Sequence, residues 1–186
     1  MNDTESSSIV APHDVLAFWR AAGPDKWFTK DAAFDEEIRT RFLAAYEAAA
    51  ARAIAWDDTA EGALALLIVL DQFPRNMFRG SARSFAADPL AREVATRAIA
   101  RGFDREFAVP ERGFFYLPYE HSETLADQER GVALNRASGD ADAVKWAELH
   151  ADIIRRFGRF PHRNAVLGRA TTPEEQAFLD AGGFAG

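Results

Sequence analysis

Ala63-Leu64-Ala65-Leu66-Leu67-Ile68-Val69-Leu70 is an unbroken apolar run, and its conformation decides the fold. Periodicity alone does not choose, because a buried helix and a buried strand both read as continuous apolar sequence. The neighbourhood chooses helix: the flanking segments have helical spacing, and no other stretch offers a strand to pair with. A helix that is apolar all round is one that other helices enclose. Asp58-x-x-Glu61 ahead of it resembles a capping box. Phe73-Pro74 is expected to end it, since the residue before a proline is driven out of the helical region.

On the N-terminal side, residues 1–11 read as a disordered tail and Pro12 as the first turn of a helix with Val15, Leu16, Phe18 and Trp19 on its apolar side. Gly23-Pro24 stops that helix. Trp27-Phe28 is expected in a loop as a hydrophobic anchor. Asp31 can cap a helix whose stripe is Phe34, Ile38, Phe42 and Tyr46, spaced four apart. On the C-terminal side, Asp88-Pro89 reads as cap and first-turn proline, with Gly102 as the stop. Residues 110–118 hold a short aromatic helix, and Ser122 can cap a helix running to about Ser138. Asp140 caps the next, whose inner face is Ala143, Trp146, Ala147, His150, Ile153, Ile154 and Phe157, ending at Gly158. Thr172-Pro173-Glu174-Glu175 is a full start signal for a last helix. The expected fold is all-α: one domain over residues 12–186, built of antiparallel helical hairpins joined by short loops. No internal repeat of fixed period is evident.

Composition narrows the function classes. The chain has 186 residues, is 48% hydrophobic, contains no cysteine and carries a formal net charge of −7. Absence of cysteine excludes disulfides and thiolate chemistry and fits a reducing cytoplasm, the expected location. The acidic balance argues against nucleic acid or an anionic membrane as partner. The start of the chain lacks a signal-peptide pattern, and the apolar run is too short to span a bilayer. No phosphate loop, nucleophile elbow or zinc-helix motif is present, so no cofactor and no metal are expected.

Four polar clusters remain. In the first, Asp71, at the rim of the apolar helix, needs a partner such as Arg75, and Asn76 follows. His121 and Glu123 flank an expected helix start, where they could position a water or simply cap. His150 stands on an apolar face, as does Gln128 on the preceding helix, and each must be hydrogen-bonded or cost roughly 1–3 kcal/mol; they are expected to satisfy each other. The fourth is the loop Gly158-Arg159-Phe160-Pro161-His162-Arg163-Asn164. Between residues 155 and 169 there are five arginines, His162 and no acid. Arginine forks hold carboxylate or phosphate, and histidine trades protons near neutrality. The same arginines could instead pair with Asp71 and other acids, pinning loops to the core.

At these residues the chain resembles the bacterial domain-of-unknown-function family 924. Trp27-Phe28, Leu70-Asp71-Gln72-Phe73-Pro74-Arg75-Asn76, Tyr116-Leu117-Pro118, His121-Ser122-Glu123, the loop from Gly158 to Asn164, Leu167-Gly168-Arg169 and Thr172-Pro173-Glu174-Glu175 carry the resemblance, from about Val15 to Gly183. It implies a compact helical domain of the tetratricopeptide-like superhelical type and no particular reaction. Two functions are therefore expected. One is a site for a small anionic ligand, with Asp71, Arg75, Asn76, His121, Glu123, His150, Arg159, His162, Arg163 and Asn164 as its residues; if it is an enzyme, hydrolysis or proton transfer is the expected chemistry. The alternative is a scaffold that binds peptides through exposed aromatics, with Trp27, Phe28 and Phe160 as candidates.

Overall fold

The computed structural model describes residues 10–184, so residues 1–9 of the expected disordered tail lie outside the described part. Val10 packs against the core and Ala11 precedes the first helix. The described residues form ten α-helices with short 3₁₀ turns between them and no strand: α1 (Pro12–Ala22), α2 (Pro24–Trp27), α3 (Ala32–Ala50), α4 (Ala60–Leu67), α5 (Phe73–Met77), α6 (Asp88–Ala100), α7 (Leu117–Glu120), α8 (Leu125–Ser138), α9 (Ala141–Phe157) and α10 (Pro173–Asp180). The all-α expectation holds.

The apolar run forms the axis of the domain. Its helix does not end at Phe73-Pro74 as expected. It passes through a π-turn, Ile68–Gln72, directly into α5. In that turn the Phe73 N–H bonds back to the Ile68 carbonyl, which absorbs one extra residue. Pro74 then sits in the first turn of α5, where an absent N–H leaves no bond unmade. Every residue from 62 to 74 is buried, enclosed by α1, α3 and α6. Aromatic rings supply much of the packing: Phe42 meets Phe73 at 4.7 Å between centroids, and Trp19 stacks on Trp27 at 5.8 Å. Trp27 lies in α2 rather than in a loop, and its indole N–H donates to the Trp19 carbonyl at 2.7 Å.

Several helix caps lie one or two residues from the expected cap. Thr59, not Asp58, caps α4 by accepting from the Gly62 N–H. Gly62 is required there, since a Cβ would lie 1.9 Å from the Trp56 carbonyl oxygen. Asp88 is the first residue of α6, and its carboxylate faces arginines instead of its own helix. Ser122 makes a local turn to the Thr124 N–H, and α8 begins at Leu125. Asp31, Asp140 and Thr172 cap as expected.

The antiparallel hairpin of α8 and α9, turned by Gly139 in the left-handed region and Asp140, presents His150, Ala151 and Ile154 inward. Trp146, expected on the same face, is 53% exposed. The aromatic cover of α9, from Phe157, Phe160, Phe178 and Phe184, gathers at Ile153 and Ile154 further along the helix. No described helix is long and apolar enough to cross a membrane.

Candidate functional site

The π-turn places Asp71, a carboxylate only 1% exposed, at the buried centre of a polar layer between the α4–α5 rod and the C-terminal third of the chain. Its Oδ1 lies 2.8 Å from His121 Nδ1. Its Oδ2 accepts from the Gln72 amide at 2.5 Å, and Arg75 stands 3.4 Å from Oδ1. Burial opposes the Asp71 charge, but Arg75 and His121 outweigh it and carry the carboxyl down to about 2. The pairing fixes the His121 tautomer: with Nδ1–H donating to Asp71, Nε2 is left as the proton acceptor. Burial, then the charge of Arg75, pull His121 below the ordinary imidazole value, although Asp71 pulls the other way. At neutral pH the ring is an uncharged base held by a carboxylate.

Arg75 is not free to hold a ligand. It donates both fork nitrogens to Asp88 at 3.0 Å each, and one to the Asp71 carbonyl. Asn76 is not brought to this layer; its amide donates to Asp35, which Arg79 also clamps. A second histidine–carboxylate pair lies alongside: His150 Nδ1 is 3.3 Å from Glu120, which also accepts from Asn135 at 2.8 Å. The two imidazoles are 6.5 Å apart. Gln128 does not pair with His150 as expected. Its amide donates to the Glu120 and Ser122 carbonyls and pins that turn.

The C-terminal loop divides into two parts. Gly158 adopts the left-handed conformation that ends α9, and Arg159 turns away to grip Glu175 with both fork nitrogens at 2.6 and 2.8 Å. Glu175 also accepts from Asn164 and from the Thr172 N–H. These bonds, the Arg159 pair first, hold its carboxyl near 2 even against burial. The expectation that Arg159 meets Asp71 is corrected: the acid that the sequence reads as a helix start claims it. Glu123 accepts from the Phe160 N–H and from Arg169 at 2.6 and 3.0 Å, so it too is a clamp. Arg169 in turn bonds the Asn164 carbonyl group of its side chain.

Arg163 and His162 differ. Arg163 is 6% exposed, with its guanidinium between the rings of Phe85 and Phe160, 4.4 and 4.5 Å from their centroids. It donates to the His121 carbonyl at 3.1 Å and approaches Asp88 only to 3.6 Å. Among the described residues its Nε has no partner, and neither has His162 Nδ1. Burial and the neighbouring Arg75 lower Arg163 to about 10, and burial with Arg163 lowers His162 to about 4. The structure thus joins Asp71, Arg75, His121, Arg163 and Asp88 in one network and sets His150 and His162 beside it. Two surface grooves, of about 420 Å³ along α6 and α8 and about 330 Å³ along α8 and α9, are lined by none of these residues. Among the described residues no cluster of histidine and carboxylate groups could hold a metal ion.

The sequence reading placed Asp88 and Glu175 at helix starts and Arg169 in a motif, and counted none of Asp88, Glu120, Arg169 and Glu175 among the site residues. The signal was available: five arginines in an acid-free stretch require acids from elsewhere, and carboxylates at helix starts were the candidates.

An all-helical domain with an ion-paired polar layer under its C-terminal loop is the class that fold and site define. The chain belongs to the bacterial family of unknown function DUF924, whose profile matches residues 15–183. A solved structure, a protein of unknown function, ATU0120, from Agrobacterium tumefaciens, is similar: 51% identical, with TM-score 0.89, covering 91% of this chain and 97% of that one. No curated protein matches.

Proposed function

We propose that the chain binds a small anion, a carboxylate or phosphate, at the buried face of residues 162–163, with the Asp71–His121 pair as its acid–base group. The observation that supports this reading is a pair of polar atoms in the layer: among the described residues Arg163 Nε and His162 Nδ1 are buried without partners, as is the side-chain oxygen of Gln128. A buried, unmade hydrogen bond costs about 1–3 kcal/mol, which an acceptor arriving from a ligand would relieve. Arg163 carries the charge, and its planar group is fixed by Phe85 and Phe160. If the bound molecule is turned over, hydrolysis fits best: His121, oriented by Asp71, takes a proton from water through Nε2.

Inorganic phosphate and acetate are the probes. Thermal unfolding of the wild type should rise with either anion, as mass action requires of a ligand that binds the folded state. The rise should vanish in Arg163→Met and shrink in His162→Gln. No response of the wild type to either anion at tens of millimolar sinks the reading.

The peptide-scaffold reading, with its tetratricopeptide-like superhelix, draws less support. Of its three candidate aromatics, Trp27 and Phe160 are buried and only Phe28 is exposed. That exposed ring is itself stacked on Phe114 at 6.3 Å.

A further inference from the structure

One aromatic side chain in the polar layer has no role in holding the fold's main core. After α10 the chain turns back through Gly182, in the left-handed region, and Gly183, whose N–H bonds to the Phe178 carbonyl at 2.9 Å. This double-bonded helix end needs glycine at the first position for its positive φ. It needs glycine at the second for space, because a Cβ on Gly183 would lie 2.5 Å from the Phe178 ring. The turn delivers Phe184 edge-on to two histidines at once: 4.6 Å from His150 and 5.3 Å from His162, centroid to centroid. Phe160 closes the same group, 5.7 Å from His150 and 5.6 Å from His162. Three side chains, from α9 and the 158–164 loop, therefore frame a ring-sized position, and a side chain from a short glycine-hinged segment fills it. That side chain is only half-buried, unlike Phe160 beside it.

We infer that Phe184 is a removable cover, and that its ring stands where the flat apolar part of the ligand binds. The inference rests on the anion site proposed above and narrows its ligand: an aryl carboxylate or aryl phosphate rather than a bare anion. The acidic group would meet Arg163 Nε and His162 Nδ1, and the aromatic group would pack against His150, His162 and Phe160. Ring pairs of this kind favour the edge-to-face arrangement that Phe184 already shows. In the resting chain Phe184 competes with the ligand, so binding requires the 182–184 segment to swing out about its two glycines.

The test is calorimetric titration of the full chain with benzoate and with acetate, comparing wild type, Phe184→Ala and Gly183→Ala. The last variant dislodges the cover by crowding Phe178 and leaves every group of the site unaltered. Benzoate should bind both variants at least tenfold more tightly than wild type, while acetate affinity stays within about twofold. Resonances of the His150 and His162 rings should move on addition of benzoate. If acetate binds but benzoate shows no gain in either variant, the cover is refuted and the anion site stands. If neither anion binds wild type or variants, the anion site fails and the cover with it. If Phe184→Ala merely melts earlier and gains no benzoate affinity while Gly183→Ala is unchanged, Phe184 is packing alone and the inference is overturned.

Discussion

Arg159 and Arg163 stand one helical turn apart in the same loop, yet their surroundings are opposite. Arg159 meets Glu175 with both arms of its fork and passes a further bond to the Ala170 carbonyl, at the edge of solvent. Arg163 is buried deeper, has one carbonyl at 3.1 Å and a carboxylate at 3.6 Å, and leaves Nε unmatched. A structural clamp is recognised by its paired charge and by having no buried donor left over: Arg159 gives two nitrogens to the two Glu175 oxygens, and among the described residues none of its atoms is buried without a partner. Arg163 fails that standard while standing where an unmatched donor costs most. The difference teaches that richness in arginine marks a loop, and only its hydrogen-bond accounting separates the half that fastens from the half that can receive.

The largest effect should come from breaking the fastening half. Glu175 serves Arg159, Asn164 and the Thr172 N–H together. Glu175→Ala leaves Asn164 and the α10 N-terminus unsatisfied and frees Arg159, so a loss of about 3 kcal/mol is expected. For a chain of this length that corresponds to a fall of roughly 6–12 °C in Tm. Anion binding by any surviving folded protein should be unaffected. Calorimetric or urea unfolding measures it, and a loss under about 1 kcal/mol would remove the distinction between the two halves.

The two halves also titrate in different windows, a somewhat smaller effect. His162 is held near pH 4 in the fold, below its ordinary 6.5, by burial and the Arg163 charge. Between those values the unfolded chain binds the proton and the folded chain does not. Stability is therefore full above pH 6.5 and falls as pH drops toward 4, by roughly 2–3 kcal/mol in all. Glu175 runs later: its carboxyl is depressed from 4.5 to about 2, so its contribution is present above pH 4.5 and fades below it. Urea unfolding at pH 7 and pH 4.5 should show the first loss in wild type and a clearly shallower slope in His162→Gln. Equal slopes would place the titration elsewhere.

Much of the architecture was legible because it follows from local rules. Asp31, Asp140 and Thr172-Pro173-Glu174-Glu175 announce helix starts through short side-chain bonds to nearby amides, and the apolar axis announces its enclosure by lacking a polar face. What the sequence could not show depends on distant partners. Asp88 looks like a cap until Arg75 is placed against it, thirteen residues away in sequence. Pro74 looks like a terminator until the π-turn supplies the slack. Trp146 has the right spacing to face inward, and only the placement of Phe157, Phe178 and Phe184 shows that the cover ends before it. In the polar layer, residue types were readable from the loop composition, and the division between Arg159 and Arg163 was not, because four positions of separation carry no information about which acid each one reaches.

The smallest stability effect should come from Arg163 itself, and its smallness is what sharpens the comparison. Arg163→Met keeps an unbranched chain between Phe85 and Phe160, where a thioether packs well against rings. It removes a buried charge that burial and Arg75 already disfavour, together with the orphaned Nε. Against this, the His121 carbonyl loses a donor, while Asp88 retains both bonds from Arg75. Replacing a buried ion by an apolar group of similar size is often close to neutral, so the net change should lie within about 1 kcal/mol of zero. The same substitution should abolish the thermal response to phosphate. A residue that can be lost from the core without harm to the fold, but not without loss of the ligand, is held there for the ligand. If Arg163→Met instead costs as much as Glu175→Ala, both ends of the loop are clamps and the site has no receiving half.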